Sequence, residues 1–554
     1  MTTGVREPSA AAATRGSTLT GTWRLIRLAA RRDRVLLPVW ILAIVGGLLG
    51  SAAAMVGLYA TEADRLAYAA ISATNAIARA FDGPIMGTSL GAVTMVEVYA
   101  VLAVLIGIMS VQAVVRHTRG DEETGRAELV GSAVVGRHAP LTAALVVTAA
   151  ANLLLGTAAA AALVAYDLPV VGAVAAGAAM AGVGITFAAV AAVTVQISSS
   201  QRGATGLGIA AVGVAFLLRA VGDAFGSVAA SGVEVESAWP SWLSPIGWGH
   251  QLRAFAGERW EVLGLYAALV AVLVPVAFWL RSHRDVGAGL VQVRPGPATA
   301  SPRLCSPLGL AWRLQRWVFL AWLAGLVIVS AVFGSIAEQA EELLATSEEL
   351  AAMLAAMGEG TIVDLFFAFY MGMLAVIVAG FTVQSLLRAR NEEAAGGAEP
   401  IIATGVSRTR WFASHIAIAG GGSAVILALA ALASALAHAA ASGDAGALGP
   451  LQQAAFANLP AVLALGGFVI AVAGLIPRWA VPIGWGALVA ALIIGQFGDL
   501  FELPQALLNL SPFTHPPAVP AQDLVWTPIL VLLGVAAALT AVGLAAFRRR
   551  DLAV

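Results

Sequence analysis

The sequence predicts an all-α polytopic membrane protein, with twelve transmembrane helices forming two parallel six-helix repeats and both termini in the cytoplasm. Three observations predict it. Of the 554 residues 59% are hydrophobic and only 11% charged, with a mean hydropathy of +0.86, whereas a soluble globular domain carries about 25% charged residues. Apolar runs recur along the chain, each near the roughly 20 residues that cross a hydrocarbon core. The second half also repeats motifs of the first. The composition alone excludes a water-soluble protein.

Residues 1–34 read as a cytoplasmic tail ending in an elbow, Trp23-Arg24-Leu25-Ile26-Arg27. Such a segment lies in the membrane interface with Trp and Leu down and Arg toward headgroups. No apolar h-region with a cleavage site precedes it, so the first span directs insertion. The first six-span domain, 35–280, has its apolar runs at 35–55, 92–115, 141–164, 171–197, 204–224 and 262–280. A Pro/Gly/Ser-rich cytoplasmic linker follows at 281–311 and carries the lone Cys305, which forbids an intramolecular disulfide. A second elbow, Trp312-Arg313-Leu314-Gln315-Arg316, opens the second domain, 312–554, with runs at 317–334, 361–387, 411–436, 459–476, 481–497 and 525–547.

Charge placement fixes the topology. All 31 basic residues are arginine, and cytoplasmic loops collect positive charge. Twelve spans with an inner N-terminus put 26 arginines inside and leave only Arg65, Arg79, Arg219, Arg253 and Arg259 outside. Losing one span scrambles that division. Glu338, Glu341, Glu342, Glu348, Glu349 and Glu359 fall between the seventh and eighth spans, as the solvated face of an external amphipathic helix.

The absence of lysine also excludes chemistry. A Walker A loop needs lysine for the nucleotide phosphates, and a pyridoxal Schiff base needs its amine. Any P-loop hydrolysis must therefore come from another chain. The seven histidines are scattered without ligand spacing, which argues against a metal site and against a polytopic membrane enzyme.

The halves repeat in register. An offset of 271 pairs Tyr99 with Tyr370, Arg119 with Arg390, Asp121 with Glu392, Glu122 with Glu393, Gly125 with Gly396, Glu128 with Glu399, Val135 with Val406 and Arg137 with Arg408. Further on, Arg202 pairs with Arg478, Gly222-Asp223 with Gly498-Asp499, and Leu243-Ser244-Pro245 with Leu510-Ser511-Pro512. Six spans per half give both the same orientation and a pseudo-two-fold axis along the membrane normal. A transport path between the halves is the expected use.

The cytoplasmic connections 117–140 and 388–411 are acidic first, then apolar, then basic. Asp121, Glu122 and Glu123 suit a helix N-terminus capped near Thr118 or Gly120. The apolar ridge 129–135 follows, closed by Arg137. Such a helix presses into a groove on a cytoplasmic partner; a solvated loop marking the membrane boundary is the competing reading, and recurrence in register favours the partner.

An interfacial elbow, a [DE]-E-x-x-G-x-x-E helix between the second and third spans, a Ser-Pro before the sixth span and six spans per half resemble the ABC-2 type permeases of ABC exporters. The fused twelve-span form resembles the actinobacterial tetronasin-resistance and multidrug-efflux permeases, over nearly the whole chain. The resemblance implies a plasma-membrane subunit effluxing hydrophobic drugs or antibiotics, with no cofactor of its own and no nucleic-acid partner. It also implies a separate cytoplasmic ATPase, in two copies, holding ATP and Mg. Asp121, Glu122, Gly125, Glu128 and Arg137 would map onto the first coupling helix, and Glu392, Glu393, Gly396, Glu399 and Arg408 onto the second. Gly397 and Pro400 distinguish the second copy and imply unequal docking sites.

For the substrate path, ionisable residues inside spans are the default candidates: Glu97 and Asp364, both near outer span ends, where snorkelling is the alternative. Tyr99 and Tyr370 sit deeper, the latter among Phe366, Phe367, Met371 and Met373. Met and aromatic surfaces suit varied apolar ligands, with helix packing as the alternative. The rival functions are an ion-coupled secondary transporter, which needs a carboxylate or unwound helix near the midplane that the runs do not show, and an exporter of a lipid or cell-envelope component.

Overall fold

The computed structural model describes residues 17–285, 287–291, 298–335, 337, 361–497 and 503–551. Among them, twelve helices are long and apolar enough to cross a membrane, and the protein is a multi-pass α-helical membrane protein. The chain divides into two compact units, Met1–Pro295 and Gly296–Val554, inside the expected linker. The acidic segment between the seventh and eighth spans, Arg294, and the Gly498-Asp499 copy of Gly222-Asp223 lie outside the described residues.

In the first unit the spans are Leu36–Leu58, Leu90–Arg116, Ala139–Ala165, Val170–Ile197, Gln201–Ala224 and Leu263–Ser282. The second and fourth form its centre and are the most thoroughly buried. Apolar tails solvate leucine as well as leucine does, so small residues that admit close backbones drive helix packing in lipid. Gly156 and Gly177 do this between the third and fourth spans: a Cβ on either would lie within 2.4 Å of the other's carbonyl oxygen. Between the fifth and sixth spans, two-residue strands Ser227–Val228 and Val235–Glu236 pair antiparallel.

The elbow forms a separate helix, Thr22–Arg32, with Trp23 62% exposed and Arg27 over its ring. Asp33 ends it. The Asp33 carboxylate is buried, paired with Arg116 and 2.6 Å from His117 Nε2. Burial alone would raise its pKa, but the hydrogen bond and charge of His117, helped by Arg116, bring it below the ordinary carboxylate value. A depressed folded pKa gives stability that is present above the unfolded pKa of about 4 and is lost as pH falls through the folded value. Asp33→Asn therefore costs about 2 kcal/mol at neutral pH, discounted because Arg116 is partly exposed. Thermal unfolding should show the difference from wild type shrinking in acid.

The second unit has spans Pro307–Ser335, Ile362–Ala394, Arg408–Ser442, Leu448–Leu475, Ala480–Phe497 and Trp526–Arg549. Two expectations change here. The second elbow is no separate helix: Trp312, Arg313 and Arg316 occupy the first turns of the seventh span, with Trp312 against Phe319 one face along. No acidic residue comparable to Asp33 follows them to turn the chain. The tenth span begins at Leu448 rather than 459, with Pro460 inside it. Gln452 reaches across to the ninth span, donating to the Ala428 carbonyl at 3.1 Å, while Asn458 donates to Ala454 in its own helix at 3.0 Å.

Candidate functional site

The arginine-rich face of the first unit is built where the second span ends. Thr118 stands at the cap position of the short helix Arg119–Glu123, but its hydroxyl donates back to the Val114 carbonyl. Gly125, at φ 72, takes the left-handed turn into the helix Arg126–Gly131. The three acidic residues then part company. Asp121 accepts Arg32 Nη1 from the elbow on both oxygens, at 2.9 and 2.8 Å. Glu123 accepts the Gln201 amide at 2.9 Å, at the start of the fifth span. Glu122 turns inward, its side chain only 7% exposed.

Glu122 is the hub of a latch. Arg119 meets it at 2.6 Å, Arg284 grips both its oxygens at 3.1 and 2.8 Å, and Arg281 lies 3.7 Å away. Arg119 also donates from Nε to Val195 at the end of the fourth span, 2.8 Å, and from Nη2 to Ala288, 2.6 Å. Arg137, before the third span, donates to the carbonyls of Arg281 and Arg284 at 3.0 and 3.1 Å. Glu122 and the arginines around it thus tie the ends of the second, third, fourth and sixth spans. Bidentate arginine pairs fix geometry as well as charge.

The second unit repeats it. Arg390 donates from Nε to Pro477, just beyond the tenth span, at 3.0 Å, and lies 3.7 Å from Glu393. Arg550 grips both oxygens of Glu393, whose side chain is 2% exposed. Arg408 donates to the Arg550 carbonyl at 2.8 Å. Gly396 has the same φ of 72 as Gly125. Here the eighth span runs through Ala394, so Glu392 and Glu393 sit in its last turns. Glu392 pairs with Arg388 at 2.8 Å and stands 3.7 Å from His415.

The expected coupling residues therefore divide in two. Glu122, Glu393, Arg137 and Arg408 are engaged within their own unit. Glu128 and Glu399 are exposed, as are Leu129 at 76% and Val134 at 84%. Sequence reading missed Arg284 and Arg550 as partners, because both stand among basic residues that merely mark a membrane boundary. Their shared place after the last span of each repeat was the available signal.

At the opposite face, the duplicated Ser-Pro is structural. Ser244 donates from Oγ to Ala215 at 2.6 Å and Ser511 to Ala491 at 3.0 Å, both on the span-five helix of their unit. Most of the expected substrate-path residues are packed into their own cores. Tyr99 is fully buried against His250, and Tyr370 bonds to Ser330 at 2.5 Å and stacks on Phe333. Phe367 and Met371 are buried, whereas Met373 is exposed. Glu97 bonds to the Tyr68 hydroxyl, and Asp364 closes a capping box with Thr361. Arg219, counted on the outer side at the end of the run 204–224, lies fully buried in the fifth span. It is paired with Asp223 at 3.4 Å and donates to the carbonyls of Ala80 and Phe81. Those bonds satisfy a charge that a span otherwise excludes.

Residues 304–548 match the family model described as the C-terminal domain of the multidrug efflux system permease Rv1217c. The chain is also 42% identical, over 97% of its length and 96% of the relative's, to the multidrug efflux system permease protein Rv1217c of Mycobacterium tuberculosis (strain ATCC 25618 / H37Rv). With its twelve spans and duplicated latch, the chain belongs to the family of multidrug efflux permeases.

Proposed function

We propose that this chain is the membrane subunit of an ATP-driven exporter of hydrophobic drugs or antibiotics, energised by two copies of a separate cytoplasmic ABC ATPase that carry the ATP and Mg. The arginine-rich face is the cytoplasmic one. The observation that carries the reading is the exposed ridge of Glu128, Leu129 and Val134, seated beside a latch that joins four span ends. A push on the ridge reaches the second, third, fourth and sixth spans through Glu122 and its arginines. In the second unit Glu399 presents the corresponding surface, with Glu392 and Gly396 at its base.

One observation favours an apolar cargo: an apolar groove of about 500 Å³ in the second unit is lined by Leu386, Ile416, Leu463, Ile470, Leu533 and Leu544, within the size range of drug-binding clefts. Drug efflux from cells should persist when the proton gradient is collapsed at normal ATP and stop when ATP is depleted. Efflux that stops with the gradient alone would show the ion-coupled rival instead.

A further inference from the structure

The two units differ sharply at one place on the arginine-rich face. In the first, the separate elbow helix packs along the third span and leaves, between them and the short helix Arg126–Gly131, a cleft of about 190 Å³. Its walls are apolar, from Leu25, Leu28, Val130, Val135, Pro140 and Ala144. Its mouth carries Arg32, Arg137 and Arg281 against Asp121 and Glu122. Those carboxylates are already matched, Asp121 by Arg32 and Glu122 by the buried Arg119 and Arg284. Arg281 lies 3.7 Å from the same Glu122 and Arg137 donates to backbone carbonyls, so three lining arginines face two carboxylates and the cleft is net cationic. In the second unit the offset of 271 puts Trp411 and Phe412 at the places of Pro140 and Leu141. Their rings pack with Phe547 at 5.9 and 4.7 Å, where Glu393 and Arg550 also meet. At the place of the cleft-lining Ala144 stands the buried His415, 3.1 Å from Gln315 of the seventh span.

We propose that the first-unit cleft binds an anionic phospholipid of the inner leaflet, its phosphate at Arg137 and Arg281 and its first acyl carbons along the Leu25, Leu28 and Ala144 wall. An amphipathic elbow lies at the depth of the headgroups. A basic pocket between span ends on the cytoplasmic side is the kind of site that takes an anionic headgroup. The lipid then wedges between elbow and short helices, beside the ridge that faces the ATPase. The proposal rests on the cytoplasmic orientation given above, but its test does not use ATP, an ATPase or transport, so the two fail separately.

The full chain is extracted from nanodiscs of phosphatidylcholine and phosphatidylglycerol, and retained lipid is counted by native mass spectrometry. Wild type should keep phosphatidylglycerol over phosphatidylcholine by roughly 30-fold, the factor that two surface arginines supply. Gly131→Phe fills the cleft: a Cβ at Gly131 meets nothing within 4 Å, so the fold tolerates it while the lipid should be lost. Arg137→Gln with Arg281→Gln should remove the headgroup preference. Equal retention of the two lipids, or phosphatidylglycerol retention untouched by Gly131→Phe, would overturn the proposal. So would displacement of the lipid by millimolar glycerol phosphate, which would mark a site for free phosphate compounds.

Discussion

Glu122→Gln is expected to lower the stability of the protein by about 3 to 5 kcal/mol, the cost of leaving buried charges without their partner. Arg119 and Arg284 have side chains 1% and 4% exposed, so neither recovers water when the carboxylate goes. Glu393→Gln should act the same way through Arg390 and Arg550. The measurement is thermal unfolding of the purified chain in detergent, with each single variant beside the double. The sites lie in separate compact units, so their effects should add. Variants that unfold like wild type would show that these carboxylates are not the hubs of the two span-end clusters.

Leu129→Asp combined with Val134→Asp should have the opposite signature. Both side chains are largely exposed, so the substitutions leave the melting temperature within the small range of surface changes. Burying two such side chains against a partner contributes about 3 to 5 kcal/mol, so association with the ATPase should fall by roughly a hundred- to a few thousandfold. Retained ATPase binding in this double variant would remove the ridge from the docking surface. Together the two experiments separate residues that carry motion inside the permease from residues that receive it.

Much of this architecture was legible in the sequence because membrane physics writes it twice, in apolar length and in arginine placement. The twelve spans follow from that, and the register of the repeat correctly paired Arg119 with Arg390, Glu122 with Glu393 and Arg137 with Arg408. Their partners were not legible. Arg284 and Arg550 lie more than 150 residues from the carboxylates they hold, and no local pattern distinguishes a basic residue that marks a boundary from one that folds back. The second elbow was misread for a related reason: Trp312-Arg313-Leu314-Gln315-Arg316 matches the first elbow locally, but the break in the first comes from Asp33 and its distant partners Arg116 and His117. Tyr99 and Tyr370 show the limit for substrate residues, since aromatic side chains in spans look alike whether they line a path or fill a core.

Drug movement by this permease is expected only when a separate ATPase drives it. The test uses inside-out proteoliposomes with a fluorescent hydrophobic drug and no ion gradient, comparing the chain alone with the chain co-purified with a cytoplasmic ABC ATPase. The account predicts no uptake by the chain alone and ATP-dependent uptake by the complex. Uptake by the chain alone on imposing a proton gradient, with no gain from the ATPase and ATP, would contradict it.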